Sequence, residues 1–126
     1  MKRIIGILIL GLVLNGCVAF GSIKNPITAD RLAAIESSYG IALSAAVAYR
    51  NTRLCKKNEQ ATLSNVCAYR SVILKLQAAD RVAQKSLVDA RKFIKENPTL
   101  DAFSVISAAQ QAVTTFQTIQ AEYGVK

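Results

Sequence analysis

The feature that most constrains this chain is the spacing of its apolar residues, which recur at intervals of three and four over three long segments. This is the spacing of α-helices with one buried face, and no segment alternates apolar and polar residues as a strand would. The segments run from about residue 29 to 53, from 66 to 96 and from 100 to 123. Short connections make consecutive helices antiparallel neighbours. We therefore predict an all-α domain, an antiparallel up-down-up three-helix bundle.

Each predicted helix contributes one apolar stripe to the core. The stripes consist of Leu32, Ile35, Tyr39, Ala42, Leu43, Ala46 and Tyr49 in the first helix, Tyr69, Ile73, Leu76, Ala83, Leu87, Ala90 and Ile94 in the second, and Phe103, Ile106, Ala109, Val113, Phe116, Ile119 and Tyr123 in the third. Such stripes make each helix depend on its neighbours for burial.

Polar residues and glycine mark the expected helix ends. Thr28 is placed to cap the first helix, Ser64 or Asn65 the second and Thr99 the third, because such side chains accept hydrogen bonds from free amides of the first turn. Gly124 lies where a helix-terminating glycine is expected.

The first helix contains Gly40 among small residues, such as Ala45 and Ala48. This composition favours close approach by another helix. Plain alanine-rich helix propensity is the alternative, at a cost of about 1 kcal/mol for the glycine.

The N-terminus has the pattern of an export signal. Lys2 and Arg3 precede an uncharged apolar run, which is followed by Leu14-Asn15-Gly16-Cys17. This tetrapeptide resembles the lipobox of bacterial lipoprotein precursors. The resemblance implies cleavage before Cys17, diacylation of its thiol and attachment to a membrane. We expect a signal peptide over residues 1–16, a lipidated tether over 17–27 and the bundle over 28–126. Val18 in place of aspartate favours, by the same resemblance, the outer membrane of a Gram-negative envelope.

Two other fates of the N-terminus remain open. Cleavage after Ala19-Phe20-Gly21 would release a soluble product. Without cleavage, Ile4 to Ile23 is a 20-residue uncharged span, long enough to cross a bilayer as a single-pass anchor. Lys2 and Arg3 would then hold its start in the cytoplasm. All three fates place the remaining chain outside the cytoplasm.

Cys55 and Cys67 flank the connection between the first two helices. Two such cysteines in an exported protein usually pair, and a helical hairpin brings them close together, so we predict a disulfide. Cys17 is then left for the lipid. A metal or redox site is the weaker interpretation, since two thiols have no histidine or Cys-x-x-Cys motif to support them.

Composition argues against an enzyme. The chain has no histidine, its eight acidic residues are scattered without an acid/base pair, and it has no glycine-rich phosphate loop. We expect no cofactor and no metal. The net charge of +8 favours anionic partners, but export and the absence of long basic runs argue against nucleic acid.

Two surfaces are candidates for binding. The third helix has no charge from residue 102 to 121, and charge depletion is typical of covered surfaces, so Gln110, Gln111, Thr114 and Thr118 form a possible partner face. The second helix carries Arg70, Arg81, Lys85, Lys92 and Lys95 on one side, which could rest on anionic headgroups. Ordinary solvated surfaces are the alternative for both.

These observations predict a small envelope lipoprotein that acts without catalysis, as a binding or scaffolding module at the membrane surface. Its partners would be the membrane, through Cys17, and either another envelope protein or a second copy of itself. The alternative is a membrane-anchored structural subunit of a virion, secretion apparatus or other assembly, in which residues 4–23 stay uncleaved.

Overall fold

The computed structural model describes residues 26–126. The predicted signal sequence, the lipobox-like tetrapeptide and Cys17 lie outside this part of the chain. Residues 26–126 form three helices: α1 (Pro26–Arg50), α2 (Arg70–Glu96) and α3 (Phe103–Glu122). All three pairs of helices pack on one another, and the described residues contain no strand beyond one isolated bridge. The predicted all-α three-helix bundle is confirmed.

The core is divided along the bundle axis into two clusters. One surrounds Leu32, Ile94 and Ile106, at the end where α1 begins. The other surrounds Leu76 and Phe116, toward the end where α1 stops. Phe116, Leu32 and Val113 are the largest fully buried side chains. Buried alanines from all three helices complete the two clusters.

The start of α1 differs from the prediction. The helix begins at Pro26, and Thr28 lies within its first turn instead of capping it. Proline fits there because its missing N–H would have no partner in the first turn, and its fixed φ suits a helix.

The start of α2 also differs. The helix begins at Arg70, four residues later than expected, and its N-cap Tyr69 makes no side-chain capping bond. Residues 54 and 68 are held in extended backbone by an isolated parallel bridge. The amide of Ala68 donates to the Arg53 carbonyl at 2.8 Å, and that of Cys55 to the Ala68 carbonyl at 3.0 Å. Backbone that is bonded across the hairpin is unavailable to the helix, which explains the late start.

At α3 the cap is not Thr99. The helix begins at Phe103, whose amide donates to the carboxylate of Asp101 at 2.9 Å. Its end follows the prediction: Gly124 has a φ of 64°, and the Val125 amide donates to the Gln120 carbonyl at 2.9 Å. This is a Schellman ending, and it places Val125 in the core.

Most of the predicted stripes are buried or half-buried, with two exceptions. Tyr69 and Phe103 are exposed, because each lies at the entry of a helix that begins later than expected. Val72 and Gln120 are buried instead. The close approach expected at Gly40 is wrong, because a Cβ built there would meet nothing within 4 Å.

Polar contacts fix how the helices face one another. The Tyr39 hydroxyl on α1 donates to the Asp80 carboxylate on α2 at 2.6 Å. On α3, the buried Gln120 amide donates to the Ala42 carbonyl of α1 at 2.6 Å. Buried polar groups require partners of fixed geometry, so these bonds specify the register of the helices.

Within the described chain, one helix is long and apolar enough to cross a membrane, namely α1 from Thr28 to Arg50. Core helices and membrane spans share this property, so it is weak support for membrane association. Here α1 packs against both other helices.

A candidate binding surface on α3

The four residues predicted as a partner face lie together on the outer side of α3. Gln110, Gln111, Thr114 and Thr118 are all exposed, and at 100° per residue they span about one third of the helix circumference. Exposed serines, threonines and alanines continue this surface along the helix. The first charged residue on it is Glu122, in the final turn.

The polar side chains of this surface are bonded mostly within α3. The Thr115 and Thr118 hydroxyls donate to the carbonyls four residues earlier at 2.9 Å, and the Gln110 amide donates to the Thr114 hydroxyl at 3.3 Å. A hydroxyl that donates its proton to the backbone has one bond to water fewer to lose when the surface is covered. Covering such a surface costs less desolvation free energy than covering charges.

Two shallow grooves border α3. The groove toward α1 is lined by residues including Arg31, Ser38, Phe103 and Gln110. The groove toward α2 is lined by Val82, Gln111 and Thr115, among others. Gln110 therefore borders the groove toward α1, and Gln111 borders the groove toward α2. The partner face on α3 includes one edge of each groove.

The side chains of the predicted anionic-surface face are exposed on the outer side of α2 and span its whole length. They are Arg70, Arg81, Lys85, Lys92 and Lys95.

Acidic neighbours oppose part of this charge. Lys85 pairs with Asp89 at 2.6 Å, and Lys92 lies 3.9 Å from Glu96. Such exposed pairs contribute little stability, but they lower the positive potential over the middle and end of α2. Headgroup binding by this face stays a prediction.

The predicted disulfide between Cys55 and Cys67 is present, with 4.9 Å between the two Cα atoms. The disulfide closes the connection between α1 and α2, and a network of polar contacts holds the same segment. Arg53 binds both carboxylate oxygens of Glu59, at 2.6 and 3.0 Å, and the Asn65 amide donates to Glu59 at 2.8 Å. Together with the bond from the Lys56 amide, the Arg53 guanidinium holds the pKa of Glu59 well below its usual range.

The half-buried contact between Tyr39 and Asp80 alters the titration of the tyrosine. Burial and the hydrogen bond to Asp80 raise the pKa of Tyr39 to about 12. The pair lies between α1 and α2, in the packed body of the bundle. Residues 26–126 contain no group of three or more His, Cys, Asp or Glu side chains placed to hold a metal ion.

Sequence reasoning missed three contributors to this architecture: the Arg53–Glu59–Asn65 network, the buried Gln120 and the ion pair between Arg91 and Glu36 at 2.6 Å. The first and the last join residues far from helical spacing, so no local pattern indicates them. Gln120 lies four residues after Phe116 on the buried side of α3, and this position was the available signal.

Comparison with known proteins found no matching family model, no matching curated protein and no matching solved structure.

Proposed function

We propose that this chain is a small envelope lipoprotein that acts as a non-catalytic binding module at a membrane surface. The observation that carries the binding role is the uncharged outer side of α3, on which Gln110, Gln111, Thr114 and Thr118 are all exposed. A solvated helix gains solubility from charge, and α2 carries such charge on its outer side. A surface without charge is suited to being covered by a protein.

The membrane attachment rests on the sequence before the bundle. The basic start, the apolar run and Leu14-Asn15-Gly16-Cys17 support lipidation of Cys17. The two acyl chains of a diacylated cysteine suffice for stable anchoring, because each buried methylene contributes about 0.8 kcal/mol. The partner is then another envelope protein or a second copy of this chain, and the outer membrane is the favoured site.

A structural role in a membrane assembly is the second candidate. It is favoured by the 20 uncharged residues from Ile4 to Ile23, which suffice to span a bilayer if they are retained. The two candidates differ in the fate of residues 1–16.

The intact mass of the protein from the membrane fraction, taken without reductant, separates them. Loss of residues 1–16 with acyl mass on Cys17 is the result expected for the lipoprotein. A full-length mass without lipid would instead show a retained anchor and favour the structural subunit.

The α3 surface is tested by the double variant Gln111→Lys and Thr118→Lys. Both side chains are exposed, so the helices and the melting temperature should stay unchanged while co-purification with the partner is lost. The matched control adds the same charge to exposed positions of α2, as Ala78→Lys and Val88→Lys. Retained co-purification in the α3 variant would reject this surface as the contact.

A further inference from the structure

The net positive charge of the described chain is concentrated at one end of the bundle. We define the hairpin end as residues 50–75 and 122–126, where α1 ends, α2 begins and α3 ends. It carries seven basic side chains and two acidic ones, Glu59 and Glu122, for a net charge of five. Residues 26–49 and 76–121 carry six side chains of each sign, so their net charge is zero. The positive field of the bundle therefore points outward from the hairpin end.

The loop that connects α1 and α2 at this end is held in one conformation by several bonds. The disulfide and the bridge between Leu54 and Ala68 close its base, and Glu59 binds Arg53, Asn65 and the Lys56 amide. A loop held at so many points loses little conformational entropy when it binds, which favours recognition.

Tyrosine hydroxyls tie the loop to the helices. The Tyr69 hydroxyl accepts a bond from the Ala61 amide at 2.9 Å. The Tyr69 amide donates to the Tyr49 hydroxyl of α1, also at 2.9 Å. These bonds join the loop to the helices. The loop therefore keeps a fixed position relative to the bundle when a partner contacts its tip.

This ordered loop displays apolar side chains to solvent. Leu63 is fully exposed, Val66 is 64 % exposed and Leu54 is 49 % exposed. The basic residues Lys56 and Lys57, both exposed, belong to the same loop. Protein–protein contacts commonly combine an apolar centre with a polar rim, and this loop offers both kinds of side chain.

We propose that the hairpin end docks on an acidic surface of a protein partner, with Leu63 and Val66 entering an apolar depression and Lys56, Lys57 and Arg70 facing carboxylates around it. This goes beyond the proposed function, which places a partner contact on α3, and it rests on that function only for the placement of the bundle relative to the membrane. It assigns the partner a chemical character, acidic and locally apolar.

An upright bundle cannot rest its hairpin end on the membrane that holds Cys17, because the tether is too short. Eight residues lie between Cys17 and Pro26, and the nine Cα-to-Cα steps from one to the other span at most about 32 Å when fully extended. The 25 residues of α1 are about 37 Å long, and the hairpin end lies at the far end of that helix. If the hairpin end rested on the membrane, the first residue of α1 would lie farther from the membrane surface than the extended tether can span. An anionic cell-wall polymer supplies charge but no apolar depression for Leu63.

Photo-cross-linking of the full-length chain in its native membrane tests the proposal. The variant Leu63→p-benzoylphenylalanine is irradiated in cells, and adducts are sequenced by mass spectrometry. A variant with the same probe at Val88, which is 56 % exposed on α2, is the control for collisions. We expect a protein adduct at position 63 that is absent at 88, with the cross-linked partner peptide in a segment rich in Asp and Glu.

Charge reversal supplies the second arm. Adding Lys56→Glu and Lys57→Glu should lower the adduct yield about fivefold or more, since reversing rim charges slows association. As the control, Ile41→Glu and Ala78→Glu add negative charge at exposed positions of α1 and α2 outside the proposed binding surfaces, and they should leave the yield within twofold. Helical circular dichroism and melting of each variant confirm that the bundle is folded.

Three outcomes would overturn the proposal: adducts to lipid alone, no adduct at position 63, or a protein adduct unaffected by the Lys56 and Lys57 reversal. Membrane fractionation of the same cells reports on the proposed function separately. A soluble chain that still forms the charge-dependent adduct would refute the membrane attachment while supporting the docking surface.

Discussion

At the scale of single residues, two positions in α1 show how neighbours decide what a side chain contributes. Gly40 occupies a helical position with open space around it, so its lack of a Cβ serves no packing purpose. Tyr39, the preceding residue, is half-buried against Phe116 and donates to Asp80. The first residue weakens the helix, and the second joins it to α2.

Gly40→Ala should stabilise the bundle by about 1 kcal/mol, because alanine restricts the unfolded chain and fits the helix. Urea denaturation measures the change. Gly124→Ala is the matched control and should destabilise, since its φ of 64° is strained for alanine. Equal shifts of the same sign in both variants would contradict this explanation.

Tyr39 should make stability depend on pH in the alkaline range. Its folded pKa, about 12, lies above the ordinary value of 10.0, so the folded state holds the phenolic proton more tightly than the unfolded state. The contribution is complete below pH 10 and is lost as pH rises toward 12. Tyr39→Phe should cost about 1–2 kcal/mol at neutral pH, from the lost hydrogen bond to a carboxylate. Melting curves from pH 8 to 12 would show a smaller alkaline decline in the variant; an identical decline would exclude Tyr39 as its source.

At the scale of elements, the hairpin between α1 and α2 is more ordered than its polar composition suggested. The disulfide, the bridge at Leu54 and Ala68 and the Glu59 network all act on the same segment. Their combined effect is to delay α2 until Arg70 and to display Leu63. Such a connection constrains the unfolded chain as well as the folded one.

Cys55→Ser with Cys67→Ser should destabilise the bundle by about 3 kcal/mol, the chain-entropy value for closing a loop of this length. Urea denaturation with and without reductant measures it: the parent should shift toward the variant on reduction, and the variant should not respond. An unchanged midpoint in the variant would show that the network alone holds the hairpin.

Glu59 should make the same hairpin sensitive to acid. Its pKa is held below the ordinary value by Arg53 and two amides, so its contribution is present above about pH 4.5 and is lost as pH falls through the lowered value. Carboxyl chemical shifts followed from pH 6 to 1.5 measure this. Glu59 should titrate below the ordinary glutamate value, and Arg53→Gln should return its pKa toward the usual range. An unchanged titration of Glu59 in the Arg53→Gln variant would contradict the network.

At the scale of the whole molecule, α2 and α3 form the main contact, and α1 completes the core across both. Phe116 is fully buried where the three helices meet, against Tyr39, Leu76 and Val125. The charged residues are distributed differently from the core residues. The hairpin end carries all of the net charge of the described chain, and the outer side of α3 carries none until its last turn.

Phe116→Ala should destabilise the bundle by about 3–5 kcal/mol, the usual cost of a large cavity in a well-packed core. Thermal and urea denaturation measure it. Phe103→Ala is the matched control, because Phe103 is 64 % exposed and its removal leaves no cavity. It should change stability by less than about 0.5 kcal/mol. Comparable losses in the two variants would show that the core is not organised around Phe116.

Periodicity and cysteine pairing are local or nearly local signals, so the order of the residues suffices to predict the helical class, the two breaks in the chain, the disulfide and most of the buried stripes. The first residues of α2 and α3, the exposure of Phe103 and Tyr69 and the gathering of positive charge at one end follow from the packing of the folded chain. These depend on bonds such as Ala68 to Arg53 and on antiparallel packing, which bring distant residues together. The two partners of such a contact lie far apart along the chain, so no local sequence pattern indicates them.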